Sequence, residues 1–235
     1  MRVPLDYPIP GRPHRIYVAL TNHCNRSCPW CSTCSSPRGS TFLGLESFQA
    51  LLPSSTKFQL QLEGGEPTVH PNFWDFVRLA RQHPYCERLI LCTNGVVLPR
   101  QPERLRLWLT RLGQPLTLKI SFNHHLFDHD RGLLDLCCLL RDQFGELEGD
   151  RLFVINVRLR HGYENDDARI RQAIESAGLS NHANIFFLQA YGLAQDEPGW
   201  LPPSPVATNF TLVNPDGSTF GPDLIARSEG MRLLP

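Results

Sequence analysis

At 235 residues and 41% hydrophobic composition, the chain is long enough for one large domain and too apolar for disorder. Its 23 basic and 23 acidic side chains cancel, which excludes a whole-protein basic field for wrapping nucleic acid. No apolar run approaches the ~20 residues of a membrane span, and the proline-broken start, Met1 to Gly11, lacks the apolar stretch of a signal peptide. The expectation is a cytoplasmic protein with neither membrane nor nucleic acid as partner.

After an N-terminal arm, residues 1–13, strand and helix patterns alternate. Strands are expected at Arg15–Thr21, Phe58–Glu63, Arg88–Cys92, Leu116–Asn123, Phe153–Leu159 and Asn184–Gln189. Helical spacing falls between them at Leu45–Leu52, Pro71–Gln82, Glu103–Leu112, Leu133–Phe144 and Asp166–Ala177. Such alternation implies an α/β fold, a parallel sheet with helices outside. Six strands make either an open sheet or a partial barrel. From 191 to 235 the character changes. Pro198–Pro205 is proline-rich, and Thr211–Phe220 reads as a hairpin turning at Pro215-Asp216-Gly217. The domain reading is therefore a 14–190 core followed by a short 191–235 extension.

The strands are two-faced. Phe58, Leu60 and Leu62 alternate with Gln59, Gln61 and Glu63; Leu116, Leu118, Ile120 and Phe122 alternate with Thr117, Lys119, Ser121 and Asn123. In the fifth strand, Asn156, Arg158 and Arg160 form the polar face. Strands inside an α/β fold are normally apolar on both faces. A polar inner face implies a cavity holding polar ligands, since an enclosed polar space without one is costly. The alternative is a sheet with one wet face.

Four of the eight cysteines, Cys24, Cys28, Cys31 and Cys34, crowd just after the first strand. Without a secretion signal, crowded thiols point to a metal rather than to disulfides. Thiolates suit zinc or iron–sulfur clusters. A structural zinc site favours two separated ligand pairs, and a ferredoxin-type carrier orders its cysteines differently. Three cysteines on one loop suit a [4Fe–4S] cube with one iron open. Cys34 reads as a non-ligand, and Cys86, Cys92, Cys137 and Cys138 as small buried side chains.

Cys24-x3-Cys28-x2-Cys31, with the aromatic Trp30 before its last cysteine, resembles the signature of the radical S-adenosylmethionine superfamily. Gly64-Gly65-Glu66-Pro67, directly after the second strand, is similar to that family's second motif. The resemblance covers roughly Arg15 to Gln189. It implies a (βα)6 partial TIM-like barrel with a short C-terminal hairpin extension. It also implies a [4Fe–4S] cluster on the three cysteines, whose open iron chelates S-adenosylmethionine. Reductive cleavage then yields a 5′-deoxyadenosyl radical that abstracts hydrogen from the substrate.

By the same resemblance Glu66 accepts from the methionyl ammonium, and Gly64 and Gly65 admit the ligand. Thr93, Asn94, Ser121, Asn123 and Gln189 stand at strand C-terminal ends, where parallel barrels place their working residues. His124 and His125 are candidates for substrate contact or proton movement. Lys119, Asn156, Arg158 and Arg160 are candidates for binding a polar or anionic small molecule or a peptide. The tail is similar to the hairpin that opens the extension of peptide-modifying members, but no cysteine follows Cys138 to hold an auxiliary cluster. An external flavodoxin or ferredoxin is then the expected electron donor. Two rivals remain: a metal-stabilised binding module without turnover, and an activating enzyme for a glycyl-radical partner.

Overall fold

The two faces of each strand are used differently, and this sets the architecture. The computed structural model describes residues 14–144, 150–195 and 209–235; the N-terminal arm and the proline-rich stretch at 198–205 lie outside them. β1 (His14–Ala19), β2 (Phe58–Glu63), β3 (Cys86–Thr93), β4 (Leu116–Phe122), β5 (Arg151–Leu159) and β6 (Ala183–Phe187) sit side by side in sequence order, every pair parallel. Crossovers run through α1 (Leu45–Leu51), α2 (Phe73–Gln82), α3 (Pro102–Leu112), α4 (His124–His129) with α5 (Leu133–Phe144), and α6 (Glu164–Ser176). The sheet curls into a half-barrel with its helices, the partial-barrel α/β class expected.

The apolar strand faces meet the helices. Leu60 and Leu62 of β2, Leu89 and Leu91 of β3, and Leu116, Leu118 and Ile120 of β4 join one continuous core. α2 adds Phe73, Phe76, Val77 and Ala80; α5 adds Leu133, Leu136, Cys137 and Leu140. Each fully buried side chain of leucine or phenylalanine size contributes about 1.5–3 kcal/mol, so this layer carries most of the stability. No helix among the described residues is long and apolar enough to cross a membrane.

Three features depart from expectation. A seventh strand, β7 (Phe210–Val213), is the first arm of the expected hairpin, but it pairs in parallel with β1 and extends the barrel sheet. The return arm closes the hairpin through the antiparallel Val213–Thr219 bridge, with the Asn214 amide donating to the Ser218 carbonyl at 2.9 Å, the Phe220 amide to the Leu212 carbonyl at 3.0 Å and the Leu212 amide to the Gly221 carbonyl at 2.8 Å. The tail then forms α7 (Leu224–Arg232), capped by Asp223, which accepts from the Ile225 and Ala226 amides. Finally, His124 and His125 open the short helix α4 instead of lying in a loop. Asn123 caps it by accepting from the Leu126 amide at 2.9 Å.

Candidate active site

At the C-terminal ends of the strands the polar faces enclose a cavity of about 370 Å³. Its first wall is the cysteine loop. Leaving β1, the chain makes a bridge at Thr21–Phe42 and another at His23–Ser36, which close residues 21–42 into a compact loop. Within it the Cys31 amide donates to the Cys28 carbonyl and the Cys34 amide to the Cys31 carbonyl. Cys34 takes a left-handed backbone (φ 50°), and the chain turns away there.

Cys24, Cys28 and Cys31 all line the cavity, whereas Cys34 does not and instead contacts the Ser228 carbonyl at 4.0 Å. Burial pushes the Cys24 and Cys28 thiols up to about 12, and their mutual proximity to Cys31 adds to it. Such thiols ionise only when a cation arrives, because a coordinating thiol is deprotonated by its metal. Sulfur-directed donors are already in place: the Ser35 amide lies 3.4 Å from Cys31 Sγ, and Asn94 Nδ2 lies 3.7 Å from Cys24 Sγ. Among the described residues no three His, Cys, Asp or Glu side chains meet around one ion-sized centre. The cysteines share a wall rather than a chelating point.

The glycine motif locks onto this loop. The Gly65 amide donates to the Thr21 carbonyl at 2.7 Å and the Glu66 amide to the His23 carbonyl at 2.9 Å. A Cβ on Gly64 would stand 2.5 Å from the Thr21 oxygen, and one on Gly65 2.1 Å from the His23 oxygen. The glycines are thus required by the approach of two backbone segments, and they face the cavity besides.

Glu66 does not line the cavity. At 1% exposure, its carboxylate accepts from the Thr68 amide and hydroxyl, the Thr93 hydroxyl and the Asn94 amide. Burial raises its pKa while those donors oppose the rise. The side chain thereby ties the end of β3 to the glycine turn. Glu66→Ala is expected to cost the metal-free chain about 3 kcal/mol, since buried donors lose their acceptor. An unchanged urea midpoint would refute that tie.

The other candidates divide. Trp30, Thr93, Asn94, Ser121, Asn123, Asn156, Arg158 and Gln189 line the same cavity. Pro67, Lys119, His124, His125 and Arg160 do not. Pro67 starts a 3-10 turn. Lys119, 1% exposed, donates to Gln61 Oε1 at 3.0 Å behind the wall. Arg160 is sandwiched 4.1 Å from the Trp30 ring centroid and 3.6 Å from that of Tyr163. His124 packs on Trp30 at 4.8 Å and His125 at 5.7 Å. Burial lowers the pKa of both histidines. These three residues brace Trp30, which itself lines the cavity.

Sequence reasoning missed Arg26, Cys92, Tyr191 and Arg227, which also line the cavity. Arg227 of α7 pairs with Glu63 at 2.8 Å and donates to Asn214 Oδ1 at 3.0 Å. Cys92 was readable: it lies two residues after Ile90 on the cavity-facing parity of β3 and pairs in register with Lys119. Arg26 was readable within the cysteine motif itself. Tyr191 and Arg227 gave no signal.

No protein-family model matches the chain. Over 93 residues, 38% of this chain and 28% of that protein, it is 31% identical to GTP 3′,8-cyclase of Chlorobaculum tepidum. It is 34% identical over 90 residues to mycofactocin maturase MftC of Mycobacterium ulcerans, 37% of this chain and 24% of that one. The chain thus spans about a quarter to a third of the length of these curated relatives. In fold it is similar to SuiB of Streptococcus suis, with a TM-score of 0.55 at 10% identity over 89% of this chain and 60% of that chain. In its half-barrel fold and in these local stretches the chain is similar to radical S-adenosylmethionine enzymes.

Proposed function

We propose that this chain is a radical S-adenosylmethionine enzyme acting on a polar or anionic small molecule or a peptide. One observation carries the reading: Cys24, Cys28, Cys31, Gly64 and Gly65 share a single cavity wall at the C-terminal ends of parallel strands. The donor chemistry fits the cofactors. Three thiols with sulfur-directed donors suit a [4Fe–4S] cluster, and a polar cavity with cations suits the zwitterionic S-adenosylmethionine. When bound, these groups supply reductive cleavage of the sulfonium and abstraction of a substrate hydrogen atom.

The protein's own part is positioning and exclusion. Asn94 Nδ2 points at Cys24 Sγ and also donates to Asn25 Oδ1 at 2.7 Å, which orients the loop. Ser121, Asn123 and Gln189 offer hydrogen-bonding groups around the cavity. Arg158 and Arg26 supply positive charge to it, and no carboxylate lies within ion-pair distance of Arg158 among the described residues. That supports an anionic group on the ligand. On this reading residues 14–190 bind the cofactors, and the tail from 191 closes the cavity. A flavodoxin or ferredoxin delivers the electron. All eight cysteines are free, which supports a reducing compartment such as the cytoplasm.

The test is anaerobic reconstitution with iron and sulfide, then dithionite and S-adenosylmethionine. Wild type is expected to bind iron and release 5′-deoxyadenosine, and Cys28→Ala to do neither. Tightly bound zinc without iron would instead leave a structural metal module.

A further inference from the structure

Cys92 is the one cysteine outside the cluster motif that lines the cavity, among the described residues. It sits at the end of β3, across from Ser121, whose hydroxyl is 4.0 Å from its sulfur. Core packing does not account for it. Its neighbour in the strand, Leu91, is buried in the core on the opposite parity, and Cys137 shows what a core cysteine looks like here, at 0% exposure against leucines of α5.

Two other groups show that a ligand belongs beside it. Trp30 is 6% exposed and lines the cavity, yet its indole nitrogen has no hydrogen-bond partner among the described residues. A buried indole N–H normally finds one. Arg158, on the neighbouring cavity wall, faces no carboxylate among the described residues. The thiol therefore lies in a chamber built to be filled, with the cluster cysteines on its wall.

We infer that the Cys92 thiol is the hydrogen-atom donor of this cavity, returning hydrogen to a carbon radical formed within it. The inference rests on the radical chemistry proposed above. An S–H bond is weaker than an aliphatic C–H bond, so the transfer runs downhill. In the step, the S–H bond breaks homolytically and a C–H bond forms, leaving a thiyl radical. One electron from the low-potential flavodoxin or ferredoxin donor, with one proton from water, restores the thiol. The transfer needs the protonated form, and burial, reinforced by Glu63, holds the thiol pKa up against the pull of Arg158 and Lys119. The net outcome at the substrate is then redox-neutral at the carbon, as in an inversion or rearrangement, rather than oxidation.

Two measurements test it. In the first, the reconstituted protein cleaves S-adenosylmethionine in D2O with dithionite, and the deuterium fraction of the 5′-deoxyadenosine is read by mass spectrometry. Deuterium is expected in the wild-type product and its loss in Cys92→Ser and Cys92→Ala. Serine keeps the shape and the exchangeable proton but has too strong an O–H bond. Nucleoside formed without deuterium, or with equal deuterium in the variants, overturns the inference and leaves the proposed function standing. No nucleoside at all overturns both. In the second, the metal-free chain is treated with methyl methanethiosulfonate and its peptides are mapped. Cys92 is expected to take the label ahead of Cys137. A Cys92 no more reactive than Cys137 removes the thiol from the cavity and overturns the inference.

Discussion

Gly65→Ala is expected to destabilise the chain by about 3 kcal/mol and to abolish iron binding, because its Cβ has nowhere to go. The added carbon would meet the His23 carbonyl oxygen at 2.1 Å and its carbon at 2.6 Å. Neither is a flexible side-chain end. The His23 oxygen is held by the Glu66 amide, and the Gly65 amide is itself committed to Thr21, so relief requires pulling the cysteine loop off the end of β2. Gly217→Ala is the control. Unlike Gly65 it has a positive φ, 85°, so its alanine carries backbone strain, but nothing lies within 4 Å of its added carbon. Urea unfolding of both metal-free variants separates the two effects. Equal midpoints would mean that the close approach of loop and turn contributes nothing beyond backbone strain.

The second large effect concerns α7. Arg227→Ala should cost about 3–5 kcal/mol, the usual result of stripping one partner from a buried ion pair. Its side chain is 6% exposed and that of Glu63 15%, so water screens the pair poorly. Without the guanidinium, Glu63 among the described residues keeps the uncharged Gln61 amide as a donor, and Asn214 Oδ1 loses the donor it had in Arg227. Arg227→Met with Glu63→Gln removes both charges and should regain most of the loss. Denaturant unfolding of the two singles and the double completes a double-mutant cycle. A coupling near zero would show that α7 is held by its other contacts alone.

These two cases also show where sequence reading succeeds and where it stops. The half-barrel was legible because each strand separates its faces cleanly: Leu60 and Leu62 pack outward while Gln61 turns inward, with period two. The cysteine loop was legible because its ligands are local. The tail was not. α7 buries Arg227, Ser228 and Met231, so the face it packs is mostly polar and leaves no apolar stripe to find. The hairpin pattern at Thr211–Phe220 was real in its turn, yet strand periodicity does not say which neighbour a strand will choose, and β7 chose β1. The protein partners of Glu66 and Arg160 were hidden for a related reason. Both are charged and adjacent to the site, but Glu66 is consumed by donors from β3 and Arg160 by the rings of Trp30 and Tyr163. Charge and position along the chain do not reveal a partner that arrives from another element.

The cysteine loop is fastened from far along the chain. Ser228 Oγ donates to the Ser32 carbonyl at 2.8 Å, the Leu193 amide to the Cys31 carbonyl at 3.0 Å, and Asn22 Nδ2 to the Pro235 carbonyl at 2.7 Å. On the ribosome this loop is made well before its fasteners. At about 5–20 residues per second, the nearly two hundred residues between Ser32 and Ser228 take on the order of ten seconds or more to make. Through that interval the nascent chain carries three unligated thiols on a loop without its clamps. On the function proposed above, a cluster would meet a finished loop only after these fastening residues have been made.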